Sequence, residues 1–228
     1  MKWLTPGGLV AACAVGAGVT WRLGWPGLAL LAAFFLTGSI LTQLAERRGP
    51  SRNARQVLAN GGIALVAALL GSWAGAAGAI AAAAADTWAT EVGAFSPLPP
   101  RLITSGRRVT RGTSGGITAL GTLGGVAGAA LIAGLTAALS PRGLTPRFPI
   151  LATAGVAGML ADSLLGATLQ AKYECPACDA RFESGNTVCH EPVRLARGWR
   201  WLDNDGVNLA ATLVGAAAAV LGAHVAPP

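Results

Sequence analysis

The feature that most constrains this chain is a series of apolar runs, each close to the roughly 20 residues a helix needs to cross a bilayer. They fall at about 6–22, 26–45, 57–73, 75–95, 114–139, 149–171 and 205–224. Charged residues make up 12% of the 228 residues, about half the share usual in a soluble domain. The only mainly polar stretch of any length is 172–204. The expected architecture is therefore all-α: a polytopic transmembrane bundle of about seven helices, within a range of six to eight, filling one membrane domain over 1–228. The first run follows a single lysine and could pass for a signal peptide. A second long run follows it and no secreted domain comes later, so it reads as a retained helix. The segment 74–85 is mostly alanine and only mildly hydrophobic, which suits the inside of a bundle.

The net charge of +7 raises the question of nucleic acid. The basic residues sit between apolar runs rather than on a continuous face, so they report topology and a phosphate-bearing ligand instead. With seven spans, the N-terminus and the loops 46–56, 96–113 and 172–204 share one side. That side holds Lys2, Arg47, Arg48, Arg52, Arg55, Arg101, Arg107, Arg108, Arg111, Lys172, Arg181, Arg194, Arg197 and Arg200. The other holds Arg22, Arg142 and Arg147. Fourteen against three places the N-terminus in the cytoplasm and the C-terminus outside; the expected location is the cell's inner membrane.

Ten residues are acidic, and Asp86, Glu91 and Asp162 lie inside expected spans. An ionised side chain at a helix centre costs at least about 2.5–3.5 kcal/mol to insert. Such a group needs a partner, a cation or water, and a buried structural ion pair is the plain alternative to a site. At 100° per residue, Asp86, Thr87, Thr90 and Glu91 cover an arc of roughly 140° while Trp88 points away. In the next acidic helix Asp162, Ser163, Gly166 and Gln170 fall within roughly 100°. Asp205, Asn208 and Thr212 follow at i, i+3 and i+7, with Asp203 and Asn204 just before them. Three helices thus offer polar stripes toward one membrane face. Oxygen ligands of this kind suit Mg²⁺, which takes one or two carboxylates with waters and substrate phosphates; the expected ligands are Asp86, Glu91, Asp162 and Asp205.

The run from Ser105 to Gly116 contains Arg107, Arg108 and Arg111 and then Gly112-Thr113-Ser114-Gly115-Gly116, leading into the helix expected from 114. Helix N-termini and glycine-rich turns bind anions, and arginine forks match phosphate oxygens. The Walker A spacing is absent. These residues are read as phosphate contacts, against the alternative that the arginines only set topology. Gly121/Gly125 and Gly124/Gly128 read as small-residue packing seams. A second arginine-bearing entry, Arg52 to Gly62, carries Arg55 and Asn60. Asn60 would sit a turn into the membrane, either contacting ligand or bonding across helices.

Cys13 reads as packing in the first helix. Cys175, Cys178, Cys189 and His190 form Cys-x₂-Cys-x₁₀-Cys-His. In a reducing compartment this spacing reads as a structural Cys₃His zinc site rather than as disulfides, although adjacent ligands at 189 and 190 are unusual.

Taken together, the motifs Gln56-Val57-Leu58-Ala59-Asn60-Gly61, Ala85-Asp86-Thr87-Trp88-Ala89-Thr90-Glu91-Val92-Gly93, Gly112-Thr113-Ser114-Gly115-Gly116, Asp162-Ser163-Leu164-Leu165-Gly166-Ala167 and Asp203-Asn204-Asp205-Gly206-Val207-Asn208 resemble those of one membrane family. That family includes plant phytyl-phosphate kinase and animal transmembrane protein 19, and the resemblance runs from about 40 to 222. Val188-Cys189-His190 stands where its bacterial members usually have His-Cys-Gly. The resemblance implies a kinase that converts an isoprenoid monophosphate, such as phytyl or geranylgeranyl phosphate, to the diphosphate. A more distant likeness to CTP-dependent phytol and dolichol kinases implies a nucleoside triphosphate donor, CTP first. An anionic acceptor needs no strong general base, so the absence of a suitable histidine (His190 and His224 lie elsewhere) is no obstacle. The alternatives are an ion-coupled transporter, whose carboxylates would need access from both sides, and a lipid cytidylyltransferase or prenol kinase.

Overall fold

In the computed structural model of the chain, residues 3–45, 51–140, 147–178, 180–183, 185 and 189–225 are described. Lys2, Arg47, Arg48 and Arg142 lie outside them. The first helix, α1 (Pro6–Leu44), starts where Thr5 accepts a hydrogen bond from the Gly8 amide and Pro6 occupies a position that needs no donor. It is broken at Gly24, whose φ of 69° only glycine adopts freely. The chain doubles back there, so the Trp3 and Phe35 rings meet at 5.8 Å. The expected spans 6–22 and 26–45 are thus two arms of one interrupted element.

α2 (Ala54–Leu69) begins with a reciprocal cap, in which Asn53 and Gln56 each accept the other's backbone N–H. α3 (Trp73–Gly93) is capped by Ser72. α4 (Ala119–Leu139), α5 (Phe148–Thr168) and α6 (Asn204–Val225) complete six helices. Four of them, α1, α4, α5 and α6, are long and apolar enough to cross a membrane.

α3 is the axis of the bundle and touches every other helix. Its run from Gly75 to Ala85 is buried throughout, which suits the mild hydropathy of that segment. Small residues let neighbouring backbones approach closely. A Cβ on Gly78 would lie 2.4 Å from the Gly215 carbonyl oxygen of α6. The α4 glycines make the second seam: Cβ atoms on Gly121, Gly125, Gly124 and Gly128 would stand 2.7–3.0 Å from the carbonyls of Ala89, Ala85, Trp88 and Ala84.

The all-α expectation omits two small sheets built from the loops. β1 (Arg101–Leu102) pairs with β2 (Gly116–Ile117), and β3 (Lys172–Glu174) pairs antiparallel with β4 (Arg181–Phe182) and β5 (Arg194–Arg197). Consequently α4 starts at 119 rather than 114, with Thr118 as its cap, and α5 stops at 168, short of Gln170. Both sheets sit at one end of the bundle. The same end holds the Leu4–Arg52 bridge and the Arg55–Asp203 ion pair. All the described lysines and arginines except Arg22 and Arg147 lie there; Arg22 donates to the Ala68 carbonyl near the opposite end.

Candidate functional site

At the basic end the helices part around a cavity of about 430 Å³. The last two turns of α3 supply Asp86, Thr87, Thr90 and Glu91, and α5 supplies Met159, Leu160, Asp162 and Ser163. Gln56 and Asn60 enter from α2, Asn204 and Asn208 from α6. The turn 111–118 and Glu183 form the outer wall. Trp88 lies outside the cavity, where its indole N–H donates to the Thr37 hydroxyl at 3.1 Å. The α3 stripe therefore faces where its periodicity points.

The buried Glu91 accepts a hydrogen bond from Thr42 at 2.9 Å. Arg52, also at the wall, donates to Ser39 at 3.0 Å and lies 5.6 Å from the Phe35 ring centre. Burial lowers the Arg52 guanidinium from its ordinary value, and the Glu91 charge opposes that shift. Asp162 has one carboxylate oxygen, Oδ2, buried with no hydrogen-bond partner among the described residues, and Gln170 Nε2 is in the same position. Asp86 from α3 and Asp162 from α5 both line this cavity. An orphaned buried acceptor costs about 1–3 kcal/mol, and more when charged. Hard oxygens facing one another across a polar cavity fit a small divalent cation such as Mg²⁺.

The outer wall differs from the expected helix N-terminus. Gly112 and Gly115 have φ of 84° and 79°. Gly115 packs so closely on α5 that a Cβ there would lie 2.6 Å from the Ala167 amide nitrogen. Thr113, Ser114, Gly115 and Gly116 line the cavity as a turn entering β2, not as the first turn of α4. Ser114 donates to Glu183 at 2.8 Å, and Lys172 reaches both Ser114 and Glu183 at 2.5 and 2.6 Å.

Several expected site residues lie elsewhere. Arg107 and Arg108 are exposed on the β1 turn, where Arg108 bridges to Arg101, and neither lines the cavity. Arg111 does line it, but its guanidinium donates to the Ala94 and Ser96 carbonyls just beyond α3. Asp205 is turned away: it pairs with Arg55 at 3.5 Å, while Asp203 accepts from Arg55 at 2.6 Å. The cavity-facing stripe of α6 is Asn204 and Asn208 at i and i+4, and Thr212 is buried deeper with its hydroxyl on the Ala59 and Leu209 carbonyls. Arg55 belongs to a neighbouring pocket with Arg194, Arg200 and Asp203. Cys13 is exposed on the side of the bundle rather than packed within it. Glu183, Thr118 and Thr122 also line the wall, and Lys172, expected only as a topology charge, pairs with Glu183 there. Thr118 and Thr122 were legible as hydroxyls opening α4; Glu183 carries no local signal.

The fold and the cavity define a polytopic membrane protein with an acidic, oxygen-rich site at the basic end of its bundle. The chain belongs to the integral membrane protein family DUF92, whose model matches residues 1–216. It is 34% identical to Protein PGR of Arabidopsis thaliana, over 82% of this chain and 77% of that one. It is also 34% identical to an uncharacterized membrane protein of Methanocaldococcus jannaschii, over 94% of this chain and 83% of the relative. No solved structure matches the chain significantly.

Proposed function

We propose that this protein is a membrane-embedded kinase that transfers the terminal phosphoryl group of a nucleoside triphosphate, CTP first, to an isoprenoid monophosphate. The observation that carries the reading is the convergence of Asp86, Asp162 and Glu91 on one cavity, with Asp162 Oδ2 buried and without a hydrogen-bond partner among the described residues. The basic end, by its charge, faces the cytoplasm and the nucleotide, and the protein resides in the cell's inner membrane.

In this reading an oxygen of the acceptor phosphate attacks the terminal phosphorus. The bond to the bridging oxygen breaks, and the nucleoside diphosphate leaves with that electron pair. Asp86, Asp162 and Glu91 are the residues that would hold Mg²⁺, which supplies charge neutralisation to the phosphoryl oxygens when bound. Asn208, Gln56 and Asn60, whose Nδ2 also donates to the Gln56 carbonyl, are the amide donors at the wall for phosphate oxygens. Arg52 adds a fixed positive charge at the wall. Gly112, Gly115 and Gly116 let the backbone of the 112–116 turn approach a ligand closely. Met159 and Leu160 give the cavity an apolar flank for the first carbons of the prenyl chain. Such catalysis is mainly positioning and electrostatics, so no histidine is required. The site's confinement to one end of the bundle favours this reading over a carrier, which needs access from both sides.

The test is direct transfer of label from terminally labelled CTP or ATP to phytyl, geranylgeranyl or farnesyl phosphate, using the purified protein with Mg²⁺. Labelled prenyl diphosphate is the expected product. No transfer with any donor and acceptor pair, from protein that remains monodisperse, overturns the proposal.

A further inference from the structure

Outside the cavity, the ribbon formed by β3, β4 and β5 presents a different chemistry. Cys175 and Cys178 occupy the turn between β3 and β4, where the Cys175 amide donates to the Ala180 carbonyl at 2.9 Å and the Cys178 amide to the Cys175 carbonyl at 3.4 Å. Cys189 and His190 return from the far side of the loop. The three sulfurs and one imidazole nitrogen lie within 4.8 Å of one another. Cys178 Sγ stands 3.5 Å from Cys189 Sγ, and Cys189 Sγ stands 3.3 Å from His190 Nδ1.

The two closest separations, 3.5 and 3.3 Å, match the edges of a metal-sized tetrahedron, and the whole set is drawn within 4.8 Å. Zinc bonds of about 2.3 Å to sulfur and 2.0–2.1 Å to nitrogen place neighbouring ligands about 3.4–3.8 Å apart. The adjacency of residues 189 and 190 is accommodated because His190 turns its near nitrogen, Nδ1, toward the cluster. A second observation asks for a staple at this place. The strands are two to four residues long and β5 is exposed along its length. Cys175, fully buried, and Tyr173 supply little core. A ribbon this small needs a metal or a disulfide to hold its shape.

We infer that Cys175, Cys178, Cys189 and His190 form a structural zinc site that fixes the β3–β4 hairpin over the mouth of the cavity. With four protein ligands the ion has no open position, so its role is architectural. The hairpin's cargo is Glu183, one residue beyond β4, which it delivers to Ser114 and Lys172 at the cavity wall. The site stands apart from the kinase reading, and its test needs no turnover.

The full-length protein, purified in detergent without chelator, is assayed for metal by mass spectrometry. One zinc per chain is expected. It should fall to background in Cys178→Ser and in Cys189→Ser, and persist in Cys13→Ser. Replacing zinc with Co²⁺ should give the intense thiolate-to-metal band and the visible absorption of tetrahedral cobalt. Wild-type protein that holds no zinc above the Cys178→Ser level, even after zinc is supplied, overturns the inference. So does a Cys178–Cys189 disulfide mapped in fresh wild-type protein under non-reducing conditions. The wild-type metal content and cobalt spectrum decide the matter if the serine variants fail to fold.

Discussion

The Thr42 hydroxyl donates to Glu91 across 2.9 Å, joining the second arm of α1 to the last turn of α3. Glu91 is only 8% exposed, so this bond holds an acidic group at the cavity wall. Thr42→Val removes one hydrogen bond to this buried carboxylate, which should cost about 0.5–1.5 kcal/mol. Thr42→Ser keeps the hydroxyl and should retain most of that stability. Thermal unfolding in detergent, followed by tryptophan fluorescence, compares the two; equal melting temperatures for all three proteins would contradict the argument.

Under the proposed reaction, Asp86→Asn and Asp162→Asn should each lower transfer by about 10²–10³-fold, as loss of a pre-organised charge-handling group does. Asp205→Asn, whose side chain points to Arg55 instead, should stay within a few fold of wild type. Side-by-side phosphoryl-transfer assays measure the contrast. An Asp205 variant as dead as the Asp86 variant would mean that α6 turns during the reaction.

The turn 112–116 allows a test by paired glycines. Gly115→Ala must place a methyl against the Ala167 backbone at a positive φ, so the turn has to lift off α5. Gly112→Ala shares the positive φ but has open space around it, leaving only backbone strain of about 1–2 kcal/mol. Limited proteolysis of the 96–118 segment should accelerate sharply for Gly115→Ala and little for Gly112→Ala.

Arg55 and Asp203 form a surface pair, with the arginine side chain 67% exposed. Exposed pairs contribute about 0–1 kcal/mol. Arg55→Ala should therefore shift the melting temperature by no more than a few degrees, and raising the salt concentration should erase the difference.

Helical periodicity made much of this legible in the sequence. Asp86, Thr87, Thr90 and Glu91 share a face because the helix dictates it, and Trp88 leaves that face for the same reason. The α4 glycines announced their seam because spacing by four is a local property. What escaped was decided by distant partners. Asp205 sits one residue after Asn204, and which of the two faces the cavity depends on where Arg55 waits to receive a carboxylate. Arg111 looked like a phosphate ligand until the open carbonyls beyond α3 claimed its donors. The β1–β2 pairing joins Arg101 to Ile117 and Leu102 to Gly116, and it moved the start of α4 by consuming Gly116 and Ile117. Glu183 meets Ser114 across an even longer separation, so no local pattern could mark it.

α3 has a further consequence for how the protein is made. Its alanine and glycine surface is almost wholly covered by neighbouring helices, and it is not among the helices apolar enough to cross a membrane by composition. Such a segment gains little by partitioning from the translocon into lipid. Its residence in the bilayer is conferred by its companions, so the helix that carries two of the cavity's acids is secured only once later parts of the chain have been synthesised and docked. A nascent chain that stops before α6 would lack the helix whose Gly215 closes on Gly78 of that acidic axis.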